Sequence, residues 1–545
     1  MNRRPRWRRL ARRTLLLLLG SALLALVAER ALDWVWPYPL TRLRALELST
    51  VVHAADGTWL RVVPTAAGER ALPLEWQDAP PLLRAAILAA EDERFLAHGG
   101  VDWAAILRAG VSNLQAGRIV SGASTLTMQV VRIVEPRPRT FFAKFVEVLR
   151  ARQLERTLDK EAIASVWLQQ VPLGGTLRGF AAAARYWFGR PVEELAAHEI
   201  AALLAMVPAP SLRSPLRRPA LLRERRDALL LRMAELGSLT VDEATTARRQ
   251  PLGMRVHAWP WLAPQLADLA VAELRGQRPA VCATAADLGL EERLRSVLRS
   301  ADLPGDGVAV VVLDRERGVV QALVGGLEER APLDASRRRR CVGSTLKPFL
   351  YALARDCGAC SEEGLIEDVP LAVGDWQPSN FHRGHAGTMQ AADALATSNN
   401  IAAVRYLQRV GEIAFRDLLV GLGLPPVAAG HDMTAILGTG AASPLELARA
   451  WQRFVAVPQQ VGLSRASVDW TLRALQRLPM RRGQRGGGMA WKSGTSSGRR
   501  DAWCVGIDDT HVVVLWLGNL DGRGNSDLVG ARTAADWLGR LAAVL

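Results

Sequence analysis

The 545-residue chain has only five cysteines, no internal repeat, and no zinc-finger, helix-turn-helix or RNA-binding motif. No second Cys or His pair stands at suitable spacing from Cys357 and Cys360, so a structural zinc site is disfavoured. In an oxidising compartment these two are spaced to close a small disulfide or to remain free thiols. The residues around them read as a helix end and loop, which argues against a thioredoxin-like redox role. The formal charge of +15 does not require nucleic acid: seven arginines precede Thr14, and 15 less 7 leaves +8 for the remainder. That remainder is spread over segments such as 137–156, 213–226 and 337–340, which suit anionic lipid heads and pyrophosphate at a membrane surface. Arg337 to Arg340 read equally well as a solvated loop.

The arginine arm leads into an uncharged stretch from Thr14 to Ala28. Its length alone fits a signal-peptide core. Apolar character resumes from Ala31 to Trp36, however, Trp34 and Trp36 suit an interfacial belt, and no A-x-A cleavage site follows. The expectation is an uncleaved signal anchor over residues 1–36, an N-terminal transmembrane helix with its arm in the cytoplasm and later residues outside the inner membrane. A hydrophobic content of 49% is enough for two or more cores. Residues 37–79 read as a β-rich opening segment, and 80–219 as a helical domain with periodic runs such as Pro81 to Ala90 and Ile200 to Val207. Pro- and Arg-rich residues 208–219 close it; 220–300 read as a mostly helical linker region and 301–545 as an α/β domain. Gly483 to Gly488 read as a flexible loop.

Three short motifs stand in order within the last domain: Ser344-Thr-Leu-Lys347, Ser398-Asn-Asn400 and Lys492-Ser-Gly-Thr495. A serine three residues before a lysine on a helix shares its face, so an amine can reach the hydroxyl. Ser344 is the expected nucleophile and Lys347 its base, provided a low-dielectric pocket and nearby cations disfavour the ammonium. Ser398 would relay protons, Asn400 hold a substrate amide, and Lys492 steer a carboxylate. The runs 501–507 and 511–518 read as neighbouring strands, making Lys492 to Ser496, with Ser493, Gly494 and Thr495, an edge strand that substrate can approach. The motifs and the run from Val308 to Gly326 resemble the transpeptidase domain of penicillin-binding proteins, with an antiparallel sheet flanked by helices. The resemblance implies an oxyanion hole from the N–H groups of Ser344 and Thr495, and β-lactam acylation at Ser344.

Upstream, Glu91-Asp92-Glu93-Arg94-Phe95-Leu96-Ala97-His98-Gly-Gly100, Gly122-Ala-Ser-Thr-Leu-Thr-Met-Gln129, Lys144-x-x-Glu147 and Gly179 through Arg190 occur in the order of the peptidoglycan glycosyltransferase domain of bifunctional penicillin-binding proteins. The resemblance implies a mainly α, lysozyme-like fold that polymerises lipid II. Glu91 would be the general base and Glu147 the second carboxylate, paralleling the paired carboxylates of inverting glycosidases. Lys144, Arg132 and Arg139 would neutralise the departing pyrophosphate, with a divalent metal (Mg or Mn) sharing that work. Asp92, Phe95, His98, Ser124, Thr125, Gln129 and Arg185 complete the expected substrate-binding set. The nearest subgroup is the penicillin-binding protein 1C type; its members often carry a further small β domain, expected to be missing from a chain that stops at Leu545.

Some positions depart from the family pattern. Ser165 and Gln169 replace a glutamate and an asparagine, Phe142 and Ala143 stand where an arginine often precedes the lysine, and Asn399 and Ser493 are milder changes. The expected function is a bifunctional peptidoglycan synthase acting on lipid II and nascent peptidoglycan, without nucleic acid. The alternatives are an enzyme with one silent half or a non-catalytic β-lactam-binding scaffold.

Overall fold

The computed structural model describes residues 29–117, 123–138, 140–328, 333–426, 434–477 and 488–545, together with Gly20, Leu24 and Val27. Most of the expected anchor from Thr14 to Ala28, Arg139, and most of the Gly483–Gly488 loop lie outside these residues. Among the described residues no helix is long and apolar enough to cross a membrane. The chain divides into two compact units, one of residues 1–51, 62–260 and 277–281, the other of 52–61, 261–276 and 282–545.

The first unit is mainly helical. Its helices include α1 (Pro81–Glu91), α2 (Trp103–Ala116), α3 (Leu126–Val134), α4 (Phe141–Glu155), α5 (Lys160–Gln170), α6 (Phe180–Phe188), α7 (Ala197–Met206) and α8 (Pro219–Glu235). Starts are set by side-chain caps: Thr125, Thr140 and Asp159 accept the N–H groups of Met128, Ala143 and Ala162. Helix α3 shows the helical period plainly, burying Leu126, Val130, Val131 and Val134 while leaving Gln129 half-buried and Arg132 exposed. The core gathers around Trp167 and Phe180, whose ring centroids lie 5.6 Å apart, with Leu83, Ile87, Phe95 and Leu154. The stretch after 219, expected as a linker region, carries α8, whose Leu222, Leu230 and Met233 are buried.

In the second unit a five-stranded antiparallel sheet comprises β1 (Gly307–Asp314), β2 (Val320–Val324), β5 (Ala490–Thr495), β6 (Asp501–Ile507) and β7 (His511–Gly518), in the order β5-β6-β7-β1-β2. A separate hairpin is formed by β3 (Leu365–Asp368) and β4 (Gly387–Gln390). The central strands are almost wholly buried, as their runs of Val, Leu and Trp require when helices cover both faces. One face packs on Leu290, Leu294 and Leu298 of α9 (Leu288–Arg299) and on Trp537, Leu538 and Leu541 of the last helix. Helix α10 (Lys347–Asp356) joins α12 (Pro444–Ala456) through Phe349, whose ring lies 5.0 Å from both Trp451 and Phe454. Between them in sequence lies α11 (Asn400–Val410).

All five cysteines are free, so the structure takes the thiol alternative for Cys357 and Cys360. Cys357 ends α10 at the surface. Cys360, beyond the turn at Gly358 (φ +72°), is buried, with Sγ 3.6 Å from the Ser361 carbonyl.

Because Phe349 is fully buried in the aromatic cluster behind the nucleophile helix, Phe349→Ala should cost about 3–5 kcal/mol. Calorimetry is expected to show a lowered transition temperature for the protein.

Candidate active sites

In the first unit Glu91 ends α1 and lines a cleft of about 1020 Å³ with Ser124, Gln129, Arg132, Lys144 and Glu147. Burial raises the Glu91 carboxyl above its ordinary range; a hydrogen bond from Gln129 and the charge of Arg213 oppose that rise, and Asp92 adds to it. The Gln129 amide donates to Glu91 Oε2 at 2.8 Å, and its own oxygen is held by the indole N–H of Trp167 at 3.0 Å. A buried tryptophan therefore orients the amide that orients the base. Glu147, one turn beyond Lys144 on α4, accepts from Arg132 and Lys144, each at 2.9 Å. Lys144 also donates to Ser124 Oγ at 2.8 Å, so two cations converge on one carboxylate and one of them is steadied by a hydroxyl.

Other expected residues support the cleft from behind. Asp92 accepts from His98 Nε2 at 3.0 Å and from the Leu126 N–H at 3.0 Å, tying the acidic run to the start of α3. Thr125 donates to the Gly100 carbonyl at 2.7 Å. A Cβ at Gly100 (φ +89°) would lie 2.7 Å from the Ala151 carbonyl oxygen, which explains the glycine. Phe95 is fully buried and packs in the core, and Arg185 on α6 does not line the cleft. Phe95 therefore does not stand where a substrate contact was expected. Ser165 and Gln169 also face away from the chemistry: Ser165 accepts the Trp76 N–H at 2.8 Å, and Gln169 donates to Glu75 at 2.9 Å. Both departures thus fasten α5 to residues 74–76. Sequence reasoning missed Trp167, and also Arg137 and Arg178 on the cleft wall. Arg178 directly precedes Gly179 of a quoted motif, the one available signal.

In the second unit all three motifs meet. Ser344 lies in a single 3-10 turn, Gly343–Leu346, that runs into α10. Gly343 has φ +60°, and a Cβ on it would lie 2.5 Å from the Thr495 nitrogen. Only glycine lets the Ser344 turn sit this close to edge strand β5, bringing the N–H groups of Ser344 and Thr495 near each other. Gly494 repeats the constraint, since its Cβ would meet the Val342 oxygen at 2.4 Å. The register runs from Lys492↔Val505 to Thr495↔Ala502, and among the described residues no strand pairs with the other side of β5, as the sequence led us to expect.

Lys347 is fully buried, and its Nζ donates to Asn400 Oδ1 at 2.6 Å, to the Ser398 carbonyl at 2.7 Å, and more weakly to Ser398 Oγ and the Asn399 carbonyl, both at 3.4 Å. Burial, reinforced by the Lys492 charge, holds its amine well below the ordinary lysine range. Lys492 donates to Ser398 Oγ at 2.9 Å and to the Ser493 carbonyl at 2.8 Å. Burial brings it down to about 7, against a small upward pull from Cys504 across the sheet. Ser398, between the two amines, holds φ +60°, a left-handed conformation uncommon for a side-chain-bearing residue.

A serine beside a buried lysine on an antiparallel sheet, joined in one chain to a helical unit with a half-buried glutamate lining a cationic cleft, defines a two-headed synthase of acyl-transfer and glycosyl-transfer domains. Residues 57–234 match the Transglycosylase family and residues 308–481 the Penicillin binding protein transpeptidase domain. Penicillin-binding protein 1C of Escherichia coli (strain K12) is 32% identical over 535 residues, spanning 93% of this chain and 69% of that one. Penicillin-binding protein 1B of the same strain is 28% identical, over 88% and 64% of the two chains. Among solved structures, penicillin-binding protein 1A of Haemophilus influenzae superposes with a TM-score of 0.56 at 18% identity, covering 91% of this chain and 92% of that one, a likeness of fold. The chain belongs to the bifunctional class A penicillin-binding proteins, of the 1C type.

Two expectations follow from the electrostatics. Lys492 can hold a carboxylate only as a cation, so the second-order rate of penicillin acylation should fall as pH rises through about 7. Lys492→Arg, whose guanidinium stays charged, should show no such fall in stopped-flow acylation. In the other unit, Gln129→Leu removes a donor that favours ionised Glu91, so the rising limb of glycan polymerisation should move to higher pH.

Proposed function

We propose that this chain extends glycan strands from lipid II with Glu91 as base and cross-links stem peptides through an acyl-enzyme on Ser344. The observation that carries the reading is the coexistence of two sites: Glu91 lining one cleft with Arg132, Lys144 and Glu147, and a fully buried Lys347 amine at the end of the Ser344 turn.

In the first reaction Glu91 takes the proton from a sugar 4-hydroxyl as its oxygen attacks the anomeric carbon and the bond to undecaprenyl pyrophosphate breaks. Arg132 and Lys144, already gathered on Glu147, would take up the charge on the leaving pyrophosphate. A divalent cation, Mg or Mn, would share that charge. Among the described residues no group of three or more His, Cys, Asp or Glu side chains could hold a metal.

In the second reaction Ser344 Oγ attacks the penultimate carbonyl of a D-Ala-D-Ala stem while its proton passes to the neutral Lys347 amine. Ser398, bonded to both lysines, would return a proton to the departing D-alanine. An amine of a neighbouring stem then displaces Ser344, and water in its place would give carboxypeptidase action. β-Lactams would acylate the same oxygen.

An inner-membrane site of action is supported by exposed apolar side chains. Trp103, Leu107, Val111 and Leu114 make a stripe along α2, and Phe141, Phe142 and Phe145 stand exposed at the start of α4, fitting a lipid surface beside the cleft. The N-terminal stretch would supply the anchor.

Variants separate the two halves. Glu91→Gln should abolish polymerisation of labelled lipid II while still taking up fluorescent penicillin, and Ser344→Ala should do the reverse. Unchanged polymerisation by Glu91→Gln, or labelling of Ser344→Ala, would contradict the assignments.

A further inference from the structure

The loop between β3 and β4 carries side chains that the known motifs do not include, and they bear directly on Asn400. Helix α11 begins at Asn400, so its first N–H groups need acceptors from outside the helix. Asn399 caps only one of them, accepting from Ala402 at 2.9 Å. The Asn380 side-chain oxygen takes the others, at 2.9 Å from the Asn400 N–H and 3.3 Å from that of Ile401. The Asn380 amide is fixed in turn by donating to Asp368 Oδ1 at 2.7 Å and to the Gly384 carbonyl at 2.9 Å. Asp368 is buried at the end of β3, accepts the Ala386 N–H at 2.8 Å, and faces His385 at 3.6 Å. Burial alone would raise its carboxyl, but the donors from Ala386, Asn380, Asn399 and His385 outweigh it and hold it low, so it remains a charged acceptor. The neighbouring Ser379 carbonyl accepts from Asn400 Nδ2 at 2.8 Å, which points Asn400 Oδ1 at the Lys347 amine.

We propose that Asp368 and Asn380 are positioning residues for acylation, a buttress that sets where α11 starts and which way the Asn400 amide faces, and so where the Lys347 amine is held. This rests on the reading of Ser344 as the acylated residue. The left-handed Ser398 lies two residues before Asn400, and a strained backbone persists only when its surroundings over-determine it.

The test is the pH profile of fluorescent-penicillin acylation in full-length protein. A wild-type protein that takes up no penicillin would fail the Ser344 reading before the variants are compared. Asn380→Ala should slow acylation by about tenfold to a hundredfold, the scale of loss when a reacting group is misplaced. An acceptor on the Lys347 amine favours its charged form, so loosening Asn400 should also shift the rising limb to lower pH. In Asn380→Asp two carboxylates would oppose each other at 368 and 380. The exchange Asp368→Asn with Asn380→Asp restores a donor facing an acceptor and should recover most of the rate. Wild-type acylation by Asn380→Ala would overturn the proposal. A slowed variant with an unmoved limb and no recovery in the exchanged pair would overturn it equally, by reducing the contact to general stability.

Discussion

The transpeptidase half depends on keeping a lysine amine dry. Lys347 is wholly buried at the start of α10, and a cation there would be costly without a partner of opposite charge. None of its hydrogen-bond partners is a carboxylate: it meets an amide oxygen, a hydroxyl and two carbonyls. The fold leaves the amine disposed to lose its proton, which is what a base for a serine hydroxyl requires. The chain spends its cations accordingly. Of 69 lysines and arginines only four are lysines, Lys144, Lys160, Lys347 and Lys492. Arginine cannot give up its proton in a protein, so it suits the structural pairs, and two of the four lysines stand where titration is useful.

The glycosyltransferase half inverts the same physics. Burial there raises a carboxyl, and the protein tempers it first with an amide and then with the charge of Arg213: Trp167 holds Gln129, and Gln129 holds Glu91. The paired cations are directed instead to Glu147, where the leaving pyrophosphate would need them. The two units thus tune opposite groups by one means, exclusion of water followed by graded hydrogen bonding.

Much of this was legible because the motifs are local. Ser344 and Lys347 share a helical turn, Lys144 and Glu147 do likewise, and the continuous apolar runs at 501–507 and 511–518 foretold the strand beside Lys492. Contacts between distant segments were not legible. Nothing near Trp167 says that its indole will reach Gln129, 38 residues away, and Asn380 precedes its helix by 20 residues. Phe95 belongs to a motif read as substrate-binding yet serves the core, because an aromatic in an acidic run carries no mark of which way it faces. The exchanges at 165 and 169 suggested lost function, whereas their side chains meet the backbone and side chains of residues 74–76. Pairing of Cys357 with Cys360 was open in the sequence, and only the turn at Gly358 separates the exposed thiol from the buried one.

Four lysines make the central claim directly measurable. Protein grown with lysine labelled at the ε-carbon should give four resonances, assigned by single Lys→Arg variants and followed from pH 5 to 11. The account predicts that the Lys347 signal reports a neutral amine far below the ordinary lysine range, and that Lys492 titrates near 7. If Lys347 stays an ammonium up to about pH 10, where a free lysine side chain titrates, it is not the base and the account of the acyl-transfer site is wrong.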